Sequence, residues 1–249
     1  MSQAVHTIEQ RDGRATASSQ IVYPDSDGKP MADNTKQFQY IITIEVGLDS
    51  MFADDPDVFV AGDLLWYPVE GRSDISKAPD VLVAFGRPKG HRGSYKQWLE
   101  GGVAPQVVFE ILSPGNTEQE MLDKREFYER YGVREYCEYD PDGGSLEVWQ
   151  REGVALKPVM IEGEWRSPLL GVRLKLEADG ELSVFRPDGR KFMRPVDLDL
   201  LVEQEQRRAE RERRRAERER RRAEHERVRA EKLAARLREL GIDPDSLVE

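Results

Sequence analysis

The sequence predicts an α+β domain followed by a long charged helix, and three stretches carry that reading. "QVVFEIL" at residues 106–112 is a run of strand-forming residues. "TEQEMLDKREFYERYG" at 117–132 is a helix with start and stop signals at both ends. From Arg207 onward the text repeats every seven residues. The chain has 249 residues, enough for one or two domains with a sizeable core, and it is 38% hydrophobic and 35% charged. No apolar run approaches the ~18 residues that a membrane span needs, and the N-terminus has no apolar segment of the secretory kind. Cys137 is the only cysteine, and His6, His91 and His225 lie far apart. A disulfide framework within the chain is thereby excluded and a Cys or His metal cluster disfavoured. A reducing, cytoplasmic setting is the expectation.

Taken in order, residues 1–30 are polar and predict a flexible N-terminal segment, and residues 31–198 predict one folded domain. In "NTKQFQYIITIEVGLDSMF" the apolar Phe38, Ile41, Ile42, Val46 and Leu48 predict an amphipathic helix capped at Asn34 or Thr35, with Gly47 its weak point. "DVFVAGDLLWYPV" and "APDVLVAFG" read as successive strands, and a polar connection over 86–105 leads to "QVVFEIL". In the next helix Thr117 and Glu120 form a capping box and Gly132 supplies the stop. "REYCEYD", the turn "PDGG" and "SLEVWQR" predict a hairpin; "VRLKLEADGELSVFRPDG" predicts a second one, bent at Asp179-Gly180.

Residues 199–240 predict a charged helix or coiled coil, with 241–249 as a tail. Ala209, Ala216, Ala223 and Ala230 fill one heptad position, but the other carries Glu212, Glu219 and Glu226 until Leu233. A coiled coil needs two apolar positions per heptad, so a solvated helix supported by pairs such as Glu210–Arg214 and Glu217–Arg221 is the plainer reading. Pairing of two chains through Leu233, Leu237 and Leu240 is the sharper one. Net charge is 38 − 48 = −10; residues 203–240 hold 15 − 10 = +5, leaving −15 on the remainder. An acidic body with a basic tail again divides the chain in two.

Three ionisable residues sit where their own elements do not want them. Strand alternation puts Glu110 on one face with Val108 and Leu112, and Asp80 on one face with Leu82 and Ala84. If the two strands are neighbours, the two carboxylates share a face. Burying them together is unfavourable by several kcal/mol unless something positive lies between. Two carboxylates plus water is the usual way protein holds Mg²⁺. At about 100° per residue, Lys124 falls in the arc of Met121, Phe127, Tyr128 and Tyr131, the face that packs on the sheet, while Asp123, Glu126, Glu129 and Arg130 point to solvent. A lysine there needs negative charge nearby. A divalent cation on Asp80, Glu110 and the Ile111 carbonyl, with Lys124 beside it, suits phosphodiester hydrolysis. Each residue also has a plainer explanation: a strand start for Asp80, a wet sheet face for Glu110, a snorkelling stem for Lys124. Asp63, Glu45 and Ser113 are candidates for supporting roles, and His91 reads as solvated.

"APDVLVAFG", "VVFEILSPGNT", "KREFYERYGVREY" and "YDPD", in that order, resemble the Uma-type restriction endonuclease family of the PD-(D/E)xK nuclease superfamily. The resemblance covers about residues 35–195. It implies a mixed central sheet flanked by helices in αβββαβ order and Mg²⁺-dependent cleavage of DNA, with Mn²⁺ as a substitute ion. It also implies Asp80, Glu110 and Lys124 as catalytic residues, and no membrane partner. The signature lysine would stand two positions after Glu110, where this chain has Leu112; the helix-borne Lys124 takes its place. A homodimer through the nuclease domain or the C-terminal helix is consistent with the resemblance. For DNA contact, the candidates that offset the acidic body are the basic tail or a local patch of Lys89, Arg92, Lys96 and Arg125. Two other readings stay open: a catalytically silent nuclease-fold module that uses the C-terminal helix for binding or assembly, and a two-carboxylate glycoside hydrolase, which the lysine disfavours.

Overall fold

In the computed structural model the described residues are 21–28 and 30–239. The expected N-terminal flexible segment therefore lies outside the described residues at 1–20 and 29, as do Leu240 and the tail 241–249. The described part of that segment is fastened down: the Tyr23 ring meets Tyr67 and Trp98 at 5.3 and 5.0 Å, and the Tyr67 hydroxyl donates to the Pro24 carbonyl at 2.7 Å. The chain divides into two compact units between Phe192 and Met193. Among the described residues no helix is long and apolar enough to cross a membrane.

The first unit opens with α1 (Thr35–Met51), whose Asn34 side chain accepts from the Gln37 amide at 2.9 Å. Next come β1 (Val58–Gly62), β2 (Trp66–Tyr67), β3 (Val81–Phe85), β4 (Tyr95–Lys96) and β5 (Val107–Ile111). Helix α2 (Glu118–Tyr131) leads to β6 (Glu135–Asp140), β7 (Ser145–Glu152) and β8 (Ala155–Pro158). A small sheet of β9 (Glu164–Arg166), β10 (Arg173–Leu176) and β11 (Leu182–Phe185) completes the unit. The main sheet runs β1-β3-β5-β6-β7-β8, antiparallel throughout except where β5 lies parallel to β6. A parallel pair needs a crossover, and α2 is that crossover. Setting aside the two-residue β2 and β4, the order from α1 to β6 is αβββαβ. This is the mixed sheet and flanking helices that the sequence predicts.

The sheet separates two cores. On one side Ile41, Ile44 and Leu48 of α1 pack with Val81, Val83, Val107, Phe109 and Ile111, and with Trp165, Leu174 and Val184 of the small sheet. On the other, Tyr128 of α2 packs with Trp66, Leu82, Ala84, Val108 and Tyr136. Alternation along β3 and β5 thus sends every second residue to a different core. One more buried acid, Glu135 at the start of β6, is matched locally: it accepts from the Ser167 hydroxyl and from the Leu169 amide at 3.0 Å.

Four local expectations are corrected. The apolar stretch 57–69 does not continue as one strand: the chain turns out at Asp63, whose φ is 47°, and β2 then pairs in parallel with β4 in a separate two-stranded sheet. The polar connection 86–105 is therefore not all loop, and its Tyr95 is fully buried. Glu129 does not simply face solvent; its carboxylate accepts from the Leu156 amide on β8 at 2.7 Å. Gly47 is no weak point, because a Cβ there would overlap the ring of buried Phe192. At the ends of α2, Thr117 Oγ accepts from the Glu120 amide at 3.2 Å, the Glu120 carboxylate accepts from the Asn116 side-chain amide at 3.3 Å, and Gly132 closes the helix at φ 104°.

The second unit is α3 (Pro195–Glu239), a single 45-residue helix with no buried residue. It starts before Asp199, with proline at the first helical position, where its missing N–H loses nothing. The pairs Glu210–Arg214 and Glu217–Arg221 form at 2.5 and 2.7 Å.

The Gly47–Phe192 contact makes a testable case. Helix propensity alone would have Gly47→Ala stabilise by up to ~1 kcal/mol. Overpacking against Phe192 should instead destabilise by about 1–3 kcal/mol. Urea unfolding of the two proteins decides the sign, and a stabilised variant would refute the contact.

Candidate active site

Asp80 and Glu110 are brought together by strand register. In the antiparallel β3–β5 pair, Val81 faces Phe109 and Leu82 faces Val108. One further step of the same register sets Asp80 against Glu110. Asp80 Oδ2 accepts from the Ile111 amide at 2.6 Å, which ties the residue preceding β3 to the end of β5. The acid in the middle of "VVFEIL" is 1% exposed. Its two oxygens are both engaged from α2: Lys124 Nζ donates to Oε2 at 2.8 Å, and the Tyr128 hydroxyl donates to Oε1. Lys124 and Tyr128 are four apart, one helical turn, so one face of α2 grips both ends of one carboxylate. The Tyr128 ring is stacked on Trp66, with 6.3 Å between centroids and 2° between planes.

The charges are strongly coupled. Burial, then the neighbouring Glu110 charge, push the Asp80 carboxyl well above the usual carboxylate range, with Lys124 and the Ile111 amide opposing. Burial would lower the Lys124 ammonium, but Glu110 and Asp80 outweigh it and hold the pKa above that of a free lysine. The lysine is therefore a fixed cation at neutral pH, with only 15% of its side chain exposed. Burial first, then the Glu110 charge, raise the Tyr128 hydroxyl as well, so it stays a donor.

A cavity of about 540 Å³ opens beside these groups. Its wall includes Asp80, Lys124, Asp63, Gln37, Lys77 and Asn116; Glu110 is not on it. The Ile111 carbonyl accepts from Gln37 Nε2 at 2.7 Å, leaving it one further lone pair. Among the described residues no three Asp, Glu, His or Cys side chains are grouped to hold a metal. The donors at hand are two carboxylates and a carbonyl, all hard oxygens, with one lysine to offset part of the charge. That set fits a cation that keeps several waters, as Mg²⁺ does.

Three supporting groups carry less sequence signal. Asp63 lines the cavity from the left-handed region at the end of β1, and its amide donates to the Asp80 carbonyl at 3.2 Å. Burial, then the Asp27 charge, raise its carboxyl. The turn after β5 is locked by Ser113, whose hydroxyl donates to Asp33 at 2.6 Å and whose amide donates to Asn116 at 2.8 Å. Tyr128 is on the predicted buried face of α2, but only its distance to Glu110 reveals its role. Glu45 is raised by burial and by Asp49 and is not on the cavity wall. His91 is exposed. In the candidate DNA patch, Lys89 pairs with Asp49 at 2.7 Å and Arg92 with Glu100 at 2.6 Å, while Lys96 and Arg125 lie over the rings of Tyr23 and Trp149.

The family model described as "Putative restriction endonuclease", Uma2, matches residues 9–192, a span that takes in every element from α1 to β11. Among solved structures, the chain is similar to "a putative nuclease belonging to DUF820 from Anabaena variabilis ATCC 29413". The two share 18% identity over 56% of this chain and 74% of that one, with a TM-score of 0.42. No curated protein matches the chain. With well over half of its length matched by the one model, the chain belongs to the Uma2 family of restriction endonuclease-like proteins.

Proposed function

We propose that the protein is a metal-dependent endonuclease that hydrolyses phosphodiester bonds of DNA. One observation carries the reading: Asp80, Glu110 and Lys124, from two adjacent strands and the following helix, converge beside one cavity. Asp80 and Glu110, with the Ile111 carbonyl, would hold Mg²⁺, for which Mn²⁺ can substitute. When bound, the ion supplies Lewis-acid activation of water and charge neutralisation at phosphoryl oxygens. The chain's own residues do the rest. Lys124 orients the attacking water and faces the charge developing on phosphate. Tyr128 keeps the Glu110 carboxylate in place while Lys124 is drawn toward the substrate. Gln37 holds the Ile111 carbonyl in position.

A second reading, a catalytically silent binding module, is favoured by one feature. Both Glu110 oxygens and the Ile111 carbonyl already accept from protein donors, so the cluster is satisfied without a cation. Calorimetric titration separates the two: millimolar Mg²⁺ or Mn²⁺ should bind, and Asp80→Asn should remove that binding. Absence of any divalent-ion binding supports the silent module.

The purified protein should nick or cut DNA with Mg²⁺ or Mn²⁺. Asp80→Ala, Glu110→Ala and Lys124→Ala should each reduce the rate by at least about 100-fold. Cleavage by the wild-type protein in excess EDTA would overturn the metal mechanism.

Stability of the metal-free protein gives an independent check on Asp80. Its folded pKa is raised, so the folded state holds the proton to higher pH than the unfolded state does. Stability contributed by the protonated form is full below the unfolded pKa of about 4 and is lost as pH rises through the folded value. Asp80→Asn should therefore flatten the pH profile of Tm in EDTA and stabilise the protein at neutral pH by on the order of 1 kcal/mol. A variant less stable than wild type at pH 7 would contradict the assigned burial cost.

A further inference from the structure

The acidic first unit leaves open where a polyanion would be held, and α3 offers a surface of the right sign. Residues 207–222 contain ten arginines and four glutamates, 10 − 4 = +6. Their arrangement matters more than their sum. At about 100° per residue, positions 207, 208, 211, 214, 215, 218, 221 and 222 fall within an arc of about 140°. All eight are arginine. The glutamates lie on the two flanks, and Ala209 and Ala216 lie opposite. At 1.5 Å per residue the stripe is about 24 Å long, one arginine per about 3 Å. A nucleic-acid strand carries one phosphate per 3.4 Å of helix axis.

Pairing within α3 leaves the centre of the stripe open. Five of the eight arginines reach flanking glutamates, for example Arg208 to Glu212 at 3.3 Å and Arg215 to Glu219 at 3.0 Å. These pairs are exposed on both sides and hold little free energy against exchange for phosphate. Arg211, Arg218 and Arg222 have no carboxylate partner among the described residues. The alanine side has no bulk to form a seam with a second helix, so charge complementarity favours a polyanion over another copy of the chain.

We propose that α3 is a docking surface for the phosphate backbone of duplex DNA, sequence-independent and centred on Arg211, Arg218 and Arg222. The choice of DNA as the polyanion rests on the nuclease reading above; the surface itself does not. The test is fluorescence anisotropy of the full chain with a labelled mixed-sequence duplex across a KCl series, in EDTA so that cleavage plays no part. Two variants remove the same charge from the same helix. Arg218→Gln/Arg222→Gln lies on the stripe, and Arg213→Gln/Arg220→Gln lies about 150–170° from its centre. The stripe variant should bind about 5–10-fold more weakly at 0.1 M KCl and lower the salt slope by about 2, whereas the off-stripe variant stays within about twofold of wild type. Arg218→Lys/Arg222→Lys, which keeps the charge on a good helix former, should bind as wild type and guards against loss of helix.

Equal weakening by both Gln variants, no weakening by either, or failure of the Lys variant would overturn the proposal. So would a wild-type dimer in sedimentation that the stripe variant dissociates, since the face would then belong to a second copy. Stripe-dependent binding by a protein that never cleaves DNA would sink the nuclease reading alone. Metal-dependent cleavage with stripe-independent binding would sink this one.

Discussion

The contact between Glu110 and Lys124 is the constraint on which the remaining arrangement depends. A carboxylate 1% exposed in the central strand of a sheet is tolerable only with full compensation, and the compensation comes from one helix. This requirement fixes which face of α2 meets the sheet, how far along β5 the helix docks, and how Tyr128 must lie. It also explains why a lysine is stable on a face otherwise made of Met121, Phe127 and Tyr128. The acid and the base are each the reason the other can be buried.

The surroundings hold that contact at both ends. Parallel pairing of β5 with β6 forces a crossover, so the helix that follows β5 must return across the face bearing Glu110. The Thr117 cap and the αL residue Gly132 limit the helix to the length that the crossover needs. Ser113 and Asn116 stiffen the turn that starts it. Trp66, delivered by the departure of the chain at Asp63, stacks on Tyr128 and closes the apolar side of the cluster. Asp80 has no ion pair of its own among the described residues, and burial beside Glu110 raises its carboxyl.

Much of this was legible in the sequence because it follows from local periodicity. Alternation in "VVFEIL" and "PDVLVAF" gave the shared face of Asp80 and Glu110, and the arc of α2 gave Lys124 its inward position. The capping residues Asn34, Thr117 and Gly132 behave as their local chemistry requires. What escaped depends on partners distant in sequence or on a single backbone angle. "LLWYP" continues the apolar text of β1, and nothing but the φ of Asp63 breaks it away. Gly47 reads as a helix defect until Phe192, far along the chain, is seen against it. Glu129 and Leu156 meet only once β8 folds back. The pairing of Lys89 with Asp49 and of Arg92 with Glu100 is likewise set by loop geometry that periodicity does not report.

The division of the sheet between two apolar cores, of which only the α2 side holds the Glu110–Lys124 pair, also protects against a particular error. If β5 slipped by one residue against β3, Glu110 would turn into the layer of Ile44 and Val83, and Phe109 or Ile111 would take its place beneath Lys124. The ammonium and the carboxylate would be stranded in opposite oily layers at the same moment. A misaligned strand therefore strands two charges at once, and proofreading of the alignment is built into the ion pair itself.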